Sequence, residues 1–384
     1  MLSRLQDFLS RHRRKFIVTG VLVGGTIYAA RYAQRRFVEF QEKQAREFFE
    51  RTRRMTHFDS TEKTCNQVIL GMGEEMCQAV LRECSTDELL EQLRQNPKNK
   101  LELWEDMKIV AFTRLATYVY ASSMLVIALR VQLNLLGGYI YRDIMTEQKQ
   151  ITDELKQQYL SLIRHFITES GIRDLARYIR SQVIAVVKAM PLSQQLSLND
   201  LEQLFWSLQM AINADTRRDP NSRMSKYLLP SQNPSHSPLL QKMFNETLDL
   251  LESEDAIGVC SHNVSRGFVL ACDAIAESMG ETLQHLPAAE VQTQQEQTLK
   301  FNQAGGSGSS NSMSQKGENN NLLNINRVLM ALAKLIPIIS GLTSRGFDST
   351  SRPHNLPTQL LTFYVVAEKT KTLGANVYES FSSA

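Results

Sequence analysis

From about residue 35 onward, apolar residues recur every three or four positions rather than at every second one, which is the period of helices buried along one face. Residues 35–57 are strongly charged, with Phe37, Phe40, Phe48 and Phe49 interspersed. Asp59 to Glu62 and Ser85 to Glu88 have capping-box spacing, which predicts helices over about 60–83 and 86–95. Pro97 marks the next break. No Gly or Pro falls between Lys98 and Leu136, so one long helix is expected there, ended by Gly137-Gly138. Further helices are predicted at about 153–168, 172–190, 198–213, 238–253, 256–280, 322–343 and 357–382. Pro357 suits a first turn, and Pro337 is expected to kink the helix it interrupts. Nothing reads as a run of strands or as an internal repeat. The expected fold is all-α, a single bundle of long helices over residues 34–384.

Two polar segments interrupt the period. Residues 214–237 carry Pro220, Pro230 and Pro234 and read as a long, disordered surface connection. Residues 288–321 are rich in Gln, Asn, Gly and Ser and hold too few apolar side chains to fold, so they are expected to be disordered. Gly305-Gly306-Ser307-Gly308 lacks a following Gly-Lys-Ser/Thr and reads as linker rather than as a phosphate cradle.

Phe16 to Ala30 and Leu115 to Leu129 are apolar stretches without a charged side chain. Phe16 to Ala30 follows the basic run Arg11-His12-Arg13-Arg14-Lys15 and contains a GxxxG spacing at Gly20 and Gly24. Its fifteen residues reach only about 22 Å against a hydrocarbon core of roughly 30 Å. Snorkelling of Lys15 and Arg31, with Tyr28 and Tyr32 at the interface, extends it enough to make residues 16–33 a membrane anchor. A cleaved signal peptide, a mitochondrial presequence and a buried core helix share parts of the pattern and stay open as alternatives. Charge does not orient the span, because residues 1–15 and 31–54 carry equal basic excesses. The second stretch, Leu115 to Leu129, is bounded by Arg114 and Arg130 and includes Thr117, Ser122 and Ser123. It reads as the buried central helix of the bundle rather than as a second span.

Composition narrows the function classes. A net charge of +3 over 384 residues gives no drive toward nucleic acid. The five cysteines, Cys65, Cys77, Cys84, Cys260 and Cys272, form no CxxC pair, so packed and reduced thiols are expected and neither metal nor cofactor. There is no HExxH, GxSxG, Walker or dinucleotide-binding motif, and the seven histidines are scattered. The absence of such chemistry favours a binding protein over a membrane-tethered enzyme.

The most informative stretch runs from Asn96 to Lys108. Trp104, one of two tryptophans, lies in the first turns after the Pro97 break, and Lys100 stands one turn before it. Leu101, Trp104 and Lys108 are expected on one face. Such an indole can anchor an amphipathic helix in a groove, with a carboxylate of the visitor meeting the lysine, or it can simply pack in the core.

In order along the chain, the Arg11–Lys15 cluster, residues 99–106 (NKLELWED), 129–134 (RVQLN preceded by Leu129) and Gly137 to Tyr141 resemble the peroxisomal biogenesis factor 3 family. So do Asn245-Glu246-Thr247, Arg266-Gly267-Phe268, Ala333 to Ile338 and Ala375 to Glu379. The resemblance implies a non-enzymatic docking receptor of the peroxisomal membrane. It implies a short lumenal tail over residues 1–15, with Arg11, Arg13, Arg14 and Lys15 in targeting, then one span and a cytosolic helical body. The implied partner is an amphipathic helix of peroxisomal biogenesis factor 19, the chaperone that carries membrane-protein cargo. The residues implied to bind it are Trp104 and Lys100, with the groove extended to Leu93, Pro97, Leu101 and Met107. The chain departs from the family at 288–321, which is longer and more polar. An adaptor of the mitochondrial outer membrane is the alternative.

Overall fold

A computed structural model describes residues 2–95, 97–231, 237–284, 328–344 and 355–383, with side chains placed only from about residue 26. The chain divides into two compact units, Met1–Asp59 and Ser60–Ala384. The basic residues Arg11, Arg13, Arg14 and Lys15, nearly all of the expected anchor and the whole of 288–321 lie outside the described side chains.

The first unit is helical. Its Tyr32, Phe37, Phe40, Phe48 and Phe49 are exposed, and i,i+4 pairs such as Lys43 with Glu47 line its surface. The helix α1 spans Leu2–Glu83 without a break at Asp59. The capping box expected at Asp59–Glu62 is therefore not used. No Gly or Pro interrupts residues 26–70, so nothing forces the chain out of helix there.

In the second unit, α2 (Asp87–Arg94) leads through the Pro97 turn into α3 (Lys100–Thr146). There follow α4 (Asp153–Ser161), a π-helical turn (His165–Glu169) and α5 (Gly171–Val187). Next come α6 (Leu198–Asn213), α7 (Met224–Leu228), α8 (Pro238–Leu251) and α9 (Glu254–Gln284). The described chain closes with α10 (Leu332–Thr343), α11 (Leu356–Val366) and α12 (Glu368–Ser382). Gln195–Leu196 and Met330–Ala331 form a two-residue antiparallel ladder, the only strand pairing among the described residues.

The centre of the unit is α3, against which α5, α8, α9, α10, α11 and α12 all pack. Its apolar stretch is apolar all round and is wholly buried inside protein, as a core helix requires. Some of its polar side chains bond back into the helix and others reach across the bundle. The Thr113 and Thr117 hydroxyls each donate to the carbonyl four residues back at 2.7 Å. Ser123 lies 3.6 Å from the Cys260 sulfur.

The structure corrects several expectations. Gly137-Gly138 does not end α3, which runs nine residues beyond Gly137 to Thr146 and stops where Glu147 turns left-handed at φ 54°. The two glycines permit close approach instead. A Cβ on Gly137 would meet Thr61 Cγ2 at 2.8 Å, and one on Gly138 would meet Phe381 Cβ at 2.7 Å. The helix expected over 357–382 is two helices, because Ala367 adopts φ −59°, ψ 131° between α11 and α12. Of the segment 214–237, expected to be a disordered surface connection, residues 214–231 are folded, and 232–236 lie outside the described residues. Met224, Tyr227 and Leu228 of α7 are buried, Asp219 folds a turn by accepting from the backbone N–H of Asn221 at 2.9 Å, and Tyr227 donates to the Arg218 carbonyl at 2.7 Å.

All five cysteines are buried, and none is joined in a disulfide. Burial pushes Cys65 and Cys84 up to about 11 and Cys260 and Cys272 up to about 12. At pH 8 these four thiols are protonated and therefore poor nucleophiles. Iodoacetamide at that pH is expected to leave them unmodified in the native chain and to alkylate them on denaturation, as intact-mass spectrometry would register.

Candidate docking groove

Four segments of the second unit converge on an open cavity of about 780 Å³. The last turns of α1 supply Leu81 and Arg82, and α2 supplies Asp87 and Leu90. Three positions of α3, Trp104, Met107 and Arg114, line it, and α10 closes it with Ile336, Pro337, Ser340 and Gly341. Local sequence explains the convergence. Ser85 bonds to Asp87, its hydroxyl accepting from the Asp87 N–H at 3.2 Å, which turns the chain between α1 and α2. Pro97 then separates α2 from α3.

Trp104 is half-buried, packed against the core on one side and lining the cavity on the other. Met107, which also lines the cavity, is buried, Leu90 is exposed, and Ile336 is sealed into the core wall. The walls thus mix apolar side chains with polar ones such as Gln78, Thr86 and Ser344, with an indole at one edge.

Of the six residues expected at the groove, Trp104 and Met107 line this cavity. Leu93 is half-buried against the core, Pro97 is half-buried in the turn, and Lys100 is exposed, none of them among the lining residues. Leu101 is 69% exposed and also lies off the cavity. Nor do Leu101 and Lys108 share an environment with Trp104. Lys108 is fully buried, its ammonium 2.5 Å from Glu105 and 2.7 Å from the Met190 carbonyl oxygen. An isolated buried ammonium would be costly, and this pairing offsets the cost.

Sequence reasoning missed Leu81, Leu90, Arg114 and the α10 wall. The one signal for the last was Pro337, a proline inside an apolar helical stretch. Arg114 is 2% exposed, and its guanidinium closes the end of α10. Nε donates to Thr343 Oγ1 at 3.0 Å, and Nη2 donates to the Ser340 carbonyl at 3.1 Å and its hydroxyl at 2.7 Å. Among the described residues no group of three His, Cys, Asp or Glu side chains is placed to hold a metal. The second tryptophan, Trp206 on α6, is 65% exposed and lies away from this cavity.

Fold and groove together define an all-α protein with a preformed cleft of mixed apolar and polar walls beside a tryptophan. The Peroxin-3 family model matches residues 7–99, 94–143 and 141–344. Peroxisomal biogenesis factor 3 of Mus musculus is 32% identical over 403 residues, covering the whole of this chain and 98% of the mouse protein. The Homo sapiens protein of the same name is 33% identical over 410 residues, with the same coverage. Peroxisome biogenesis protein 3-1 of Arabidopsis thaliana is 26% identical over 215 residues, half of this chain and 60% of the plant protein. The chain belongs to the Peroxin-3 family, a family of peroxisome biogenesis factors rather than of enzymes.

Proposed function

We propose that this protein is a docking receptor of the peroxisomal membrane and that its groove takes an amphipathic helix of peroxisomal biogenesis factor 19. In this reading residues 16–33 span the membrane, residues 1–15 lie on the lumenal side with Arg11, Arg13, Arg14 and Lys15 serving targeting, and the helical body faces the cytosol. Docking brings the chaperone's membrane-protein cargo to the bilayer, and no catalysis is involved. Lys100, Leu93, Pro97 and Leu101 extend the contact around the α2–α3 turn.

One observation carries the reading. A half-buried indole stands at the edge of a cleft walled by Met107, Leu81, Leu90, Ile336 and Pro337, which is how a helix-in-groove site receives apolar anchors. The test adds bulk instead of removing it. A Cβ on Gly341 meets nothing within 4 Å, so a side chain there enters the cleft without disturbing the core. Gly341→Ala is expected to keep binding and to gain about 0.5–1 kcal/mol of stability, the usual return for replacing a helical glycine. Gly341→Leu is expected to keep the fold and to weaken a peptide of the chaperone helix by roughly tenfold or more, through lost contacts worth about 1.4 kcal/mol. The measurement is calorimetric titration of the full chain in detergent. Unchanged affinity for Gly341→Leu would place the helix somewhere other than this cleft.

A further inference from the structure

Arg114 carries a charge at the floor of the groove; its hydrogen-bond partners are all neutral, and Asp87 is the one carboxylate whose field reaches it, from beyond ion-pair distance. Its three hydrogen bonds go to Thr343 Oγ1, the Ser340 carbonyl and the Ser340 hydroxyl, which use Nε and Nη2. Nη1 makes no hydrogen bond, and no carboxylate pairs with Arg114, among the described residues. The acid that shares the cavity, Asp87, accepts the Ser85 hydroxyl at 3.1 Å. Arg82 at the rim adds a second positive charge, so the cleft holds two guanidinium groups against one carboxylate. A neutral side chain could donate the same bonds to the end of α10. A guanidinium there is buried at a cost that its neutral acceptors and the field of Asp87 only partly offset, and a carboxylate arriving at hydrogen-bond distance would offset more of it.

We propose that Arg114 is the acid-reading residue of the groove, receiving on Nη1 the carboxylate of an Asp or Glu that projects from the docked helix beside its apolar anchors. The inference rests on the docking reading above and specifies the partner's chemistry. The visitor presents one acidic side chain toward the α10 side of the cleft, and Trp104 and Arg114 read its apolar and charged features respectively.

The probe is a synthetic peptide of the chaperone's amphipathic helix, with each Asp or Glu replaced in turn by Asn or Gln. The receptor is the full chain in detergent carrying Trp206→Phe, which leaves Trp104 as the sole indole and its emission as the readout. One amide replacement is expected to weaken binding to this chain by roughly tenfold, and to weaken binding to the Arg114→Gln form by less than about twofold. If no single replacement costs more than about twofold, or the costly one costs the same in both forms, Arg114 reads no acid and the proposal is overturned. Should Arg114→Gln fail to fold, the peptide series on the unaltered arginine decides, because an acid-independent affinity is sufficient to reject it. A peptide that leaves Trp104 emission unchanged and does not bind defeats the docking reading itself, and this inference with it. Tight binding that is indifferent to every acid defeats the inference alone.

Discussion

Exchanging Arg130 for methionine is expected to lower the stability of the helical body by about 3–5 kcal/mol, a large part of the roughly 5–15 kcal/mol that holds an ordinary protein folded. Arg130 is 1% exposed, and its guanidinium ties three elements together. Nη1 lies 3.4 Å from the Glu62 carboxylate on α1, while Nη2 donates to Asn66 Oδ1 at 2.6 Å and to the Val365 carbonyl at 2.9 Å. The last bond matters most for the fold. The break at Ala367 deprives the final carbonyls of α11 of intrahelical partners, and Arg130 supplies one from the central helix. Methionine fills much of the volume yet leaves Glu62, Asn66 and Val365 without their donor, at about 1–3 kcal/mol for each buried acceptor that water cannot reach. Glu62 is 20% exposed and can turn outward, so the loss should fall below the sum of the three. Denaturant titration at constant slope measures it. Glu62→Gln keeps an acceptor and removes only charge, and is expected to cost less. The double variant should cost less than the two single losses added, because both act on one pair. A shift below about 1 kcal/mol for Arg130→Met would show that the α11–α12 junction is held by packing alone.

The parts of this fold legible in the sequence are those determined by near neighbours. The helix over 198–213 was expected from its apolar period with the observed bounds, and in the structure Ser197 and Asp200 cap it reciprocally within one turn. The uncharged stretch after Arg114 was legible as core for the same reason, since only a helix surrounded by others tolerates an apolar surface all round. The misread features depend on distant contacts. Gly137-Gly138 has the look of a helix end, and only the approach of Thr61 and Phe381 explains why helix continues through it. Glu62 looked like half of a capping box and instead faces Arg130 across the bundle. In the groove, Trp104 and Met107 were readable because one helix turn displays both. Arg114 was not, because its partner Ser340 lies 226 positions away and no local pattern links them. Lys100, implied by the resemblance, and Leu101, added to extend the groove, lie off the cavity, both exposed at the start of α3 where Trp104 is already half-buried.

Trp104→Ala is expected to weaken binding of the chaperone helix by about 2 kcal/mol or more, close to thirtyfold in Kd, while leaving helicity intact. An indole offers roughly 150–250 Å² of contact surface at the cost of ordering only two torsions, which is why a tryptophan at a cleft edge dominates the affinity of a helix laid beside it. Trp104 is only half-buried against the core cluster, so truncation trims the wall more than it opens the interior. The neighbouring residues sharpen the test. Lys100→Ala removes an exposed ammonium and should cost only about 0.2–1 kcal/mol, fading as salt is added. Leu101→Ala, at a side chain 69% exposed and off the cavity, should change affinity by less than about 0.5 kcal/mol. Titration of the full chain in detergent, with far-ultraviolet circular dichroism as the control for folding, separates these outcomes. Equal losses at Leu101 and Trp104 would move the docking surface onto the exposed first turn of α3. An unchanged affinity for folded Trp104→Ala would remove the indole from the interface, and a receptor whose cleft has lost its principal anchor no longer has a reason to bind a helix there.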